Sequence, residues 1–527
     1  MALIAAALAA VPAYADVPRG NADGALSAYV RARAADDAGQ VGVAAAGYAA
    51  ALAAQPGDPV IAVRALREGL ASGDLPLARR AGAVLRAADV APADIELLAF
   101  ADALVARDAA GQRAALARLQ GTPIAFLAPM MAAWTGAATP AEAEASGGAI
   151  ARRYGAENRA LLLLADRRTV TQGAAAVRAL LGSDGRNLDL RFNAAQLLAN
   201  AGERDAARAL LAGNDPVLAR AAATIGRGEK GDARFGVSRL YARMAGDLSA
   251  EGTEPLAILL ARAALVLDPG YHRARLALAD SLAREGASRA ALAELSVIPP
   301  DDVFNPSAVA LRIALLQRGG DTAAATQLAR VQATTQPTNI AAQRQYADLL
   351  LDTGQPREAA AAYAATIERA GAGAEWTLYL QRGAALDQAG DWAAARPMLA
   401  RAVELGPDEP AALNYLGYAD IEHGGDVRKA TAMLERAHAL SPKDPAIADS
   451  LGWAKFRQGD LAGALPLIEG AARQAPDDVE INEHLGDLYW AAGRRYEARY
   501  AWRAAAVSAS EADAGRLANK VANGPAS

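Results

Sequence analysis

Four histidines, His272, His423, His438 and His484, are the side chains of this 527-residue chain best suited to proton transfer or metal ligation, and their spacing defeats both. None has a second histidine three or four residues away, the separation that places two imidazoles on one helix face for a metal ion. Each is expected as a partly buried or surface position on its own helix. The sequence holds no His-Glu-x-x-His pair, no Walker glycine loop and no Gly-x-Ser-x-Gly elbow, so the common zinc-hydrolase, nucleotide-hydrolase and acyl-transfer arrangements are missing. One phosphate-binding pattern matches formally: Gly226-Arg-Gly228-Glu-Lys-Gly231 reads Gly-x-Gly-x-x-Gly. A dinucleotide needs that turn between a strand and a helix. Val217 to Ile225 is instead an alanine-rich helical stretch, so the glycines are expected to form a connecting loop. With no cysteine, disulfides and thiolate metal sites are ruled out. No catalytic residue, cofactor or metal is nominated. An enzyme of unfamiliar type would need a polar cluster, and residues 88–200 show only dispersed Arg and Asp in apolar helical patterns.

The informative pattern is instead a repeat that must position whatever the chain binds. Between residues 236 and 510 one small-residue code recurs eight times, about every 34 positions. Its anchors are Ala245, Ala279, Ile313, Ala347, Gly383, Gly417, Gly452 and Gly486, the last four separated by 34, 35 and 34 residues. An alanine follows about twelve residues later (Ala395, Ala430, Ala464, Ala498) and another about seven after that (Ala402, Ala437, Ala471, Ala505). Small residues there let two antiparallel helices cross closely. Glycines seven past the anchor, such as Gly459 and Gly493, fall where the first helix must stop, because glycine adopts the left-handed backbone of a helix end without a clash. Pro407, Pro442 and Pro476 then mark where the second helix cannot continue.

This code resembles the tetratricopeptide repeat, a helix-turn-helix unit that stacks into a solenoid. The resemblance implies an all-α fold, a tetratricopeptide-type α-solenoid of stacked antiparallel helix pairs without a sheet. Its concave wall would be lined by residues six and three before each anchor and one, four and five after it. In the last three repeats those positions hold Asn414, Tyr418, Ile421 and Glu422; Asp449, Trp453, Phe456 and Arg457; and Glu480, Glu483, Asp487 and Trp490. The set is aromatic and acidic, suited to holding a polypeptide segment through aromatic anchors with carboxylates at the rim. It lacks the lysine and arginine cluster with which some co-chaperones grip a terminal carboxylate. Two readings stand for several members: Ile421, Phe456 and Trp490 either face the groove or pack against the partner helix, and Asp449, Glu483 and Asp487 either bind or form a solvated face. Tyr415, Ser450 and His484 share one position beside the anchor and read as packing between repeats.

The strings Leu413-Asn-Tyr-Leu-Gly-Tyr418, Asp449-Ser-Leu-Gly-Trp-Ala-Lys-Phe456 and Ile481-Asn-Glu-His-Leu-Gly-Asp-Leu-Tyr-Trp490, followed by Trp502, are similar to the last repeats of exported proteobacterial tetratricopeptide proteins. Some of these are outer-membrane lipoprotein adaptors that dock a carboxy-terminal processing protease and present substrates to it. The resemblance implies a non-enzymatic adaptor with protein partners, among them such a protease. This chain departs from the lipoproteins in having no cysteine to carry the lipid. An accessory role in envelope polysaccharide assembly or secretion is the alternative.

Amino-terminally the code loosens. Ala32, Gly39, Ala44, Tyr48, Ala51 and Pro56 fit one copy, Leu66, Gly73 and Ala78 continue it, and Gly202 and Ala207 recover it briefly. The expected organisation is a signal peptide over residues 1–15, an irregular repeat-like region over 16–235, the regular array over 236–510 and a capping helix with tail over 511–527. Leu3 to Val11 is an apolar run of secretory length, and Ala13-Tyr14-Ala15 fits the small-x-small cleavage rule, although no basic residue precedes the run. A periplasmic location is expected on that basis, and a cytoplasmic one if the run is only an alanine-rich terminus. Hydrophobic residues make up 53% of the chain and aromatics 5%, so the interior must be mostly Ala and Leu in close-packed helices. No stretch is long and apolar enough to predict a membrane span. A formal charge of -5 gives no basic stripe, so no nucleic-acid partner is expected. In the capping helix, Arg516, Asn519 and Lys520 are expected to form a polar outer face.

Overall fold

The computed structural model describes residues 22–525 apart from 145–147, 184–186, 214–215 and 249. The signal peptide expected over residues 1–15 lies outside the described residues. Among these the chain is all-α, with thirty α-helices and no strand. It divides into two compact units, the first ending at Gly320 and the second beginning at Asp321. The regular code is therefore shared between them: its first copies belong to the same unit as the irregular region.

In the second unit the helices pair as the code requires: Ile340–Asp352 with Pro356–Ala370, Trp376–Gln388 with Trp392–Leu405, Pro410–Glu422 with Val427–Leu440, Pro445–Arg457 with Leu461–Gln474, and Val479–Ala491 with Arg495–Ser508. Aspartates start many of them. The side chains of Asp391, Asp426, Asp444, Asp460 and Asp478 accept backbone N–H bonds from the first helical turn, each worth about 1 kcal/mol. The stops are equally local, since Gly459 and Gly493 have φ of 86° and 79°. The anchors allow close crossing for a steric reason. A Cβ on Gly452 would lie 2.5 Å from Ile468 Cγ1, and one on Gly486 would lie 2.3 Å from Trp502 Nε1. Principal packing runs from each helix to the next one or two in sequence, including first helix on first helix from Pro410–Glu422 through Pro445–Arg457 to Val479–Ala491. That is the nearest-neighbour architecture of a solenoid.

The first unit is built differently. Its opening pairs, Ala22–Asp37 with Val41–Ala54 and Pro59–Ser72 with Leu75–Ala87, follow the code, with Ala32, Ala44, Tyr48, Ala51 and Ala78 buried. Beyond them distant segments meet. Helix Glu254–Leu267 packs on Ile95–Ala106 and on Pro59–Ser72, while Ala233–Asp247 packs on Ile95–Ala106, Ala128–Trp134 and Ala149–Ala165. Arg262, 9% exposed, supplies one tie. It donates to the carbonyls of Leu70 at 2.8 Å and Ala71 at 2.9 Å, the free end of helix Pro59–Ser72, and pairs with Glu294. Tyr241 Oη donates to Leu97 O at 3.2 Å, Arg67 pairs with Glu285, and Gly39 lies so near the Gly286 carbonyl that a Cβ would come within 2.8 Å. One hydrophobic core runs continuously from Ala28 to Leu315, whereas the second unit's core is a chain of small clusters.

The glycines 226, 228 and 231 do lie in a loop, between helices Pro216–Thr224 and Ala233–Asp247 and with no strand before them. Gly228 is required there by packing: a Cβ would sit 2.0 Å from the Gln196 carbonyl oxygen. The dispersed polar residues of this half are corrected by the fold, which gathers them. Glu157 takes Asn187 and Arg243, Asp189 takes Arg273 through two bonds of 2.7 and 3.0 Å, and Arg239 lies between the Phe235 and Tyr271 rings at 4.3 and 3.8 Å. The cavity they enclose with Asn158 and Asn193 is about 10 Å³, room for one water at most. Each carboxylate there is paired, so the network ties helices together and leaves no space for a substrate.

Candidate functional site

The wall nominated in the second unit is carried by three successive first helices, Pro410–Glu422, Pro445–Arg457 and Val479–Ala491. Because each repeat returns the chain to a first helix packed on the previous one, positions three before and one after the anchor come into register. Three of these side chains converge on a histidine. His484 is buried, its Nδ1 lies 2.8 Å from Asp449 Oδ2, and its ring stacks on Trp453 with centroids 4.1 Å apart. Tyr418 lies on its other side at 6.2 Å and reaches across two repeats to donate its hydroxyl to Glu480. Trp453 Nε1 donates to Glu422 at 2.8 Å, and Arg457 completes that edge 3.5 Å from the same carboxylate.

The electrostatics follow from this packing. Burial opposes a charge on His484, yet the Asp449 carboxylate, its hydrogen bond and the nearby Glu480 and Asp487 outweigh it, and the imidazole pKa is raised. Burial and the Glu480 carboxylate push the Tyr418 hydroxyl well above its ordinary range, so it stays a donor. Two acceptors are left over. Asp449 is 4% exposed, and its Oδ1 has no hydrogen-bond partner; Asn414 Oδ1, one repeat earlier at the equivalent position, is likewise buried and unpaired. Both oxygens are shielded from solvent, and an unpaired buried acceptor costs about 1–3 kcal/mol.

The remaining nominees are placed elsewhere. Glu483 and Asp487 meet neither the histidine nor the aromatic pair. They are engaged by the terminal helix Glu511–Asn523: Lys520 Nζ lies 2.6 Å from Glu483 and 2.7 Å from Asp487, and Arg516 also pairs with Glu483. Arg516 and Lys520 thus turn onto the array instead of forming its polar outer face. Trp490 packs on Trp502 at 5.4 Å and under Arg495 at 3.7 Å. Ile421 is buried among Ala430, Leu434, Leu451 and Ala454, and Phe456 packs beside Trp453.

Sequence reasoning placed His484 among packing residues. It does pack, but at the centre of the wall; the signal that finds it is its position one residue from that of Asp449 in the repeat, which brings the two into contact across neighbouring helices. The other histidines also have partners or burial in place of ligands: His272 lies 2.7 Å from Asp302 and His423 2.7 Å from Asp387, while His438 Nδ1 is buried without a bond. Among the described residues no group of His, Cys, Asp and Glu is arranged to hold a metal ion, and no helix is long and apolar enough to cross a membrane.

The family model described as tetratricopeptide repeat matches residues 376–420, which take in the pair Trp376–Gln388 and Trp392–Leu405 and most of the next first helix. No curated protein matches the chain. Among solved structures it is similar to a tetratricopeptide repeat protein from Parabacteroides merdae (14% identity, TM-score 0.42, covering 47% of this chain and 98% of that one). It is also similar to Cut9 of the APC/C Cut9–Hcn1 hetero-tetramer (16%, 0.38, 95% and 97%) and to yeast Tom70 (12%, 0.37, 96% and 96%). Likenesses at these scores do not bear on what the chain binds.

Proposed function

We propose that this chain is a non-catalytic scaffold that binds other proteins along the wall of its second unit, that it works in the bacterial periplasm, and that it presents bound proteins to an envelope protease of the carboxy-terminal processing type. The observation that carries the binding reading is the half-buried aromatic pair Tyr418 and Trp453, set on successive first helices with Glu422, Arg457 and Glu480 at their edges. A polypeptide segment supplies donors for the rim carboxylates and an apolar side chain for the aromatic faces, the combination found at interface hot spots. The periplasmic part is supported by the apolar run and cleavage pattern of residues 3–15, and the protease by the similarity of the last repeats to exported adaptors.

Affinity capture from cell envelopes with mass spectrometry tests all three parts. The wild-type chain should retain a processing protease, a Tyr418→Ala/Trp453→Ala variant of unchanged helical content should lose it, and the mature chain should begin at Asp16. Equal capture by wild type and variant would remove the wall from the account. An unprocessed amino terminus would remove the periplasm.

A further inference from the structure

We propose that Glu483, Asp487 and Trp490 form a docking surface for a cationic amphipathic helix of a partner protein, and that the chain's own helix Glu511–Asn523 is a removable cover that holds the place. This rests on the protein-binding reading above and names the chemistry of the partner.

The cover shows what the surface accepts. Arg516 and Lys520 stand four residues apart, one turn of helix, and both reach Glu483, with Lys520 reaching Asp487 as well. Leu517 lies between them and is fully buried. The tail past the helix closes over Trp490, where a Cβ on Gly524 would come 2.2 Å from the indole. The helix occupies the place where a further first helix would stack on the array.

The attachment is thin compared with that of a repeat helix. Val479–Ala491 buries Ile481, Asn482, Glu483, His484, Gly486 and Leu488, whereas Glu511–Asn523 buries Leu517 alone. Its 13 residues are marginal as an isolated helix, and Arg516, its side chain 50% exposed, makes the kind of ion pair that salt screens. The segment is therefore the part of the second unit most easily released.

What release leaves behind decides the partner. With the helix seated Glu483 is only 7% exposed; release removes both its cations and Asp487's, and uncovers a patch of two carboxylates beside Trp490. The bare surface favours a helix that restores two cations one turn apart with an apolar residue between them. An acidic or neutral helix leaves Glu483 unpaired. Glu480, exposed one turn earlier on the same helix, continues the negative wall inward, so a longer basic segment finds a further carboxylate.

The probe is a labelled synthetic peptide of residues 509–525, titrated against the full chain. Leu517→Asp and, separately, Arg516→Glu/Lys520→Glu unseat the resident helix; each should bind the peptide at least tenfold more tightly than wild type, with affinity falling as salt rises. Adding Asp487→Lys should abolish that binding, and a peptide with glutamates at its two basic positions should not bind. If neither released variant takes the peptide more tightly than wild type, or if the acidic peptide binds equally well, the inference is wrong. Loss of protease capture on replacing Tyr418 and Trp453 would still leave the binding reading standing in that case.

Discussion

The two units use the same helical repeat and hold it together by opposite means. In the second, ties join one first helix to the next, such as Asp449 to His484 and Glu422 to Trp453, or reach one repeat further, as Tyr418 to Glu480. In the first, Arg262 bonds to Leu70 and Ala71, Tyr241 to Leu97 and Arg273 to Asp189, across intervals of 84 to 192 residues. Both ends of such a tie must be in place before either is stabilised. The consequence is a first unit closed by ties between segments distant in the chain, and a second whose first helices line up as a wall with Tyr418 and Trp453 half-buried on it.

The sharpest way to break this contrast is Arg262→Ala. It strands the Ala71 carbonyl, takes one of two donors from Leu70 and one of two cations from Glu294, a loss of about 3–5 kcal/mol over three charged hydrogen bonds. Helices 59–106 and 233–296 should melt at a lower temperature together, measured by calorimetry with residue-resolved exchange, while the second unit is unmoved. Next in size is a pH effect. Burial, with Asp36 close by, raises the Glu68 carboxyl from 4.5 to about 7. Between those values a folded Glu68 binds more proton than an unfolded one, so its contribution to first-unit stability is full below about pH 4.5 and declines as pH rises to 7, by about 3 kcal/mol. Glu68→Gln should remove that slope in denaturant titrations; an unchanged slope would place the proton elsewhere. In the second unit the raised His484 acts in a higher window: its stabilising charge is present below the unfolded value of 6.5 and is lost as pH rises through the folded one. The smallest effect sharpens the contrast from the other side. Ala464→Leu overpacks one helix crossing and should cost roughly 1–3 kcal/mol, confined to the repeats around residues 445–508. Loss of structure across the whole second unit would mean that it is not a nearest-neighbour array.

The same physics explains what the sequence made visible. Residues 376–508 were legible because each turn there is closed by a glycine and each crossing by a Gly or Ala, so the code is local. Between residues 88 and 200 the code vanishes partly because the left-handed turn positions are filled by Asp89 and Arg107, both at φ 57°, which no glycine count detects. The first unit's polar network was not legible because its partners, Glu157 with Arg243 and Asp189 with Arg273, are far apart in the chain. At the wall, Asp449, Trp453 and Tyr418 follow from repeat position. The terminal helix was legible too, but not that Arg516 and Lys520 turn inward onto Glu483 and Asp487, since no following repeat shows which of its faces is covered.

Native-state hydrogen exchange of the full chain at increasing denaturant tests the contrast most directly, because it reads the free energy of opening helix by helix. Helices 59–106 and 233–296 should exchange at one common free energy, while the second unit should open in steps, Glu511–Asn523 first and the repeats after it from the end inward. Independent opening of helices 59–106 and 233–296, or a single common opening of residues 340–523, would contradict it.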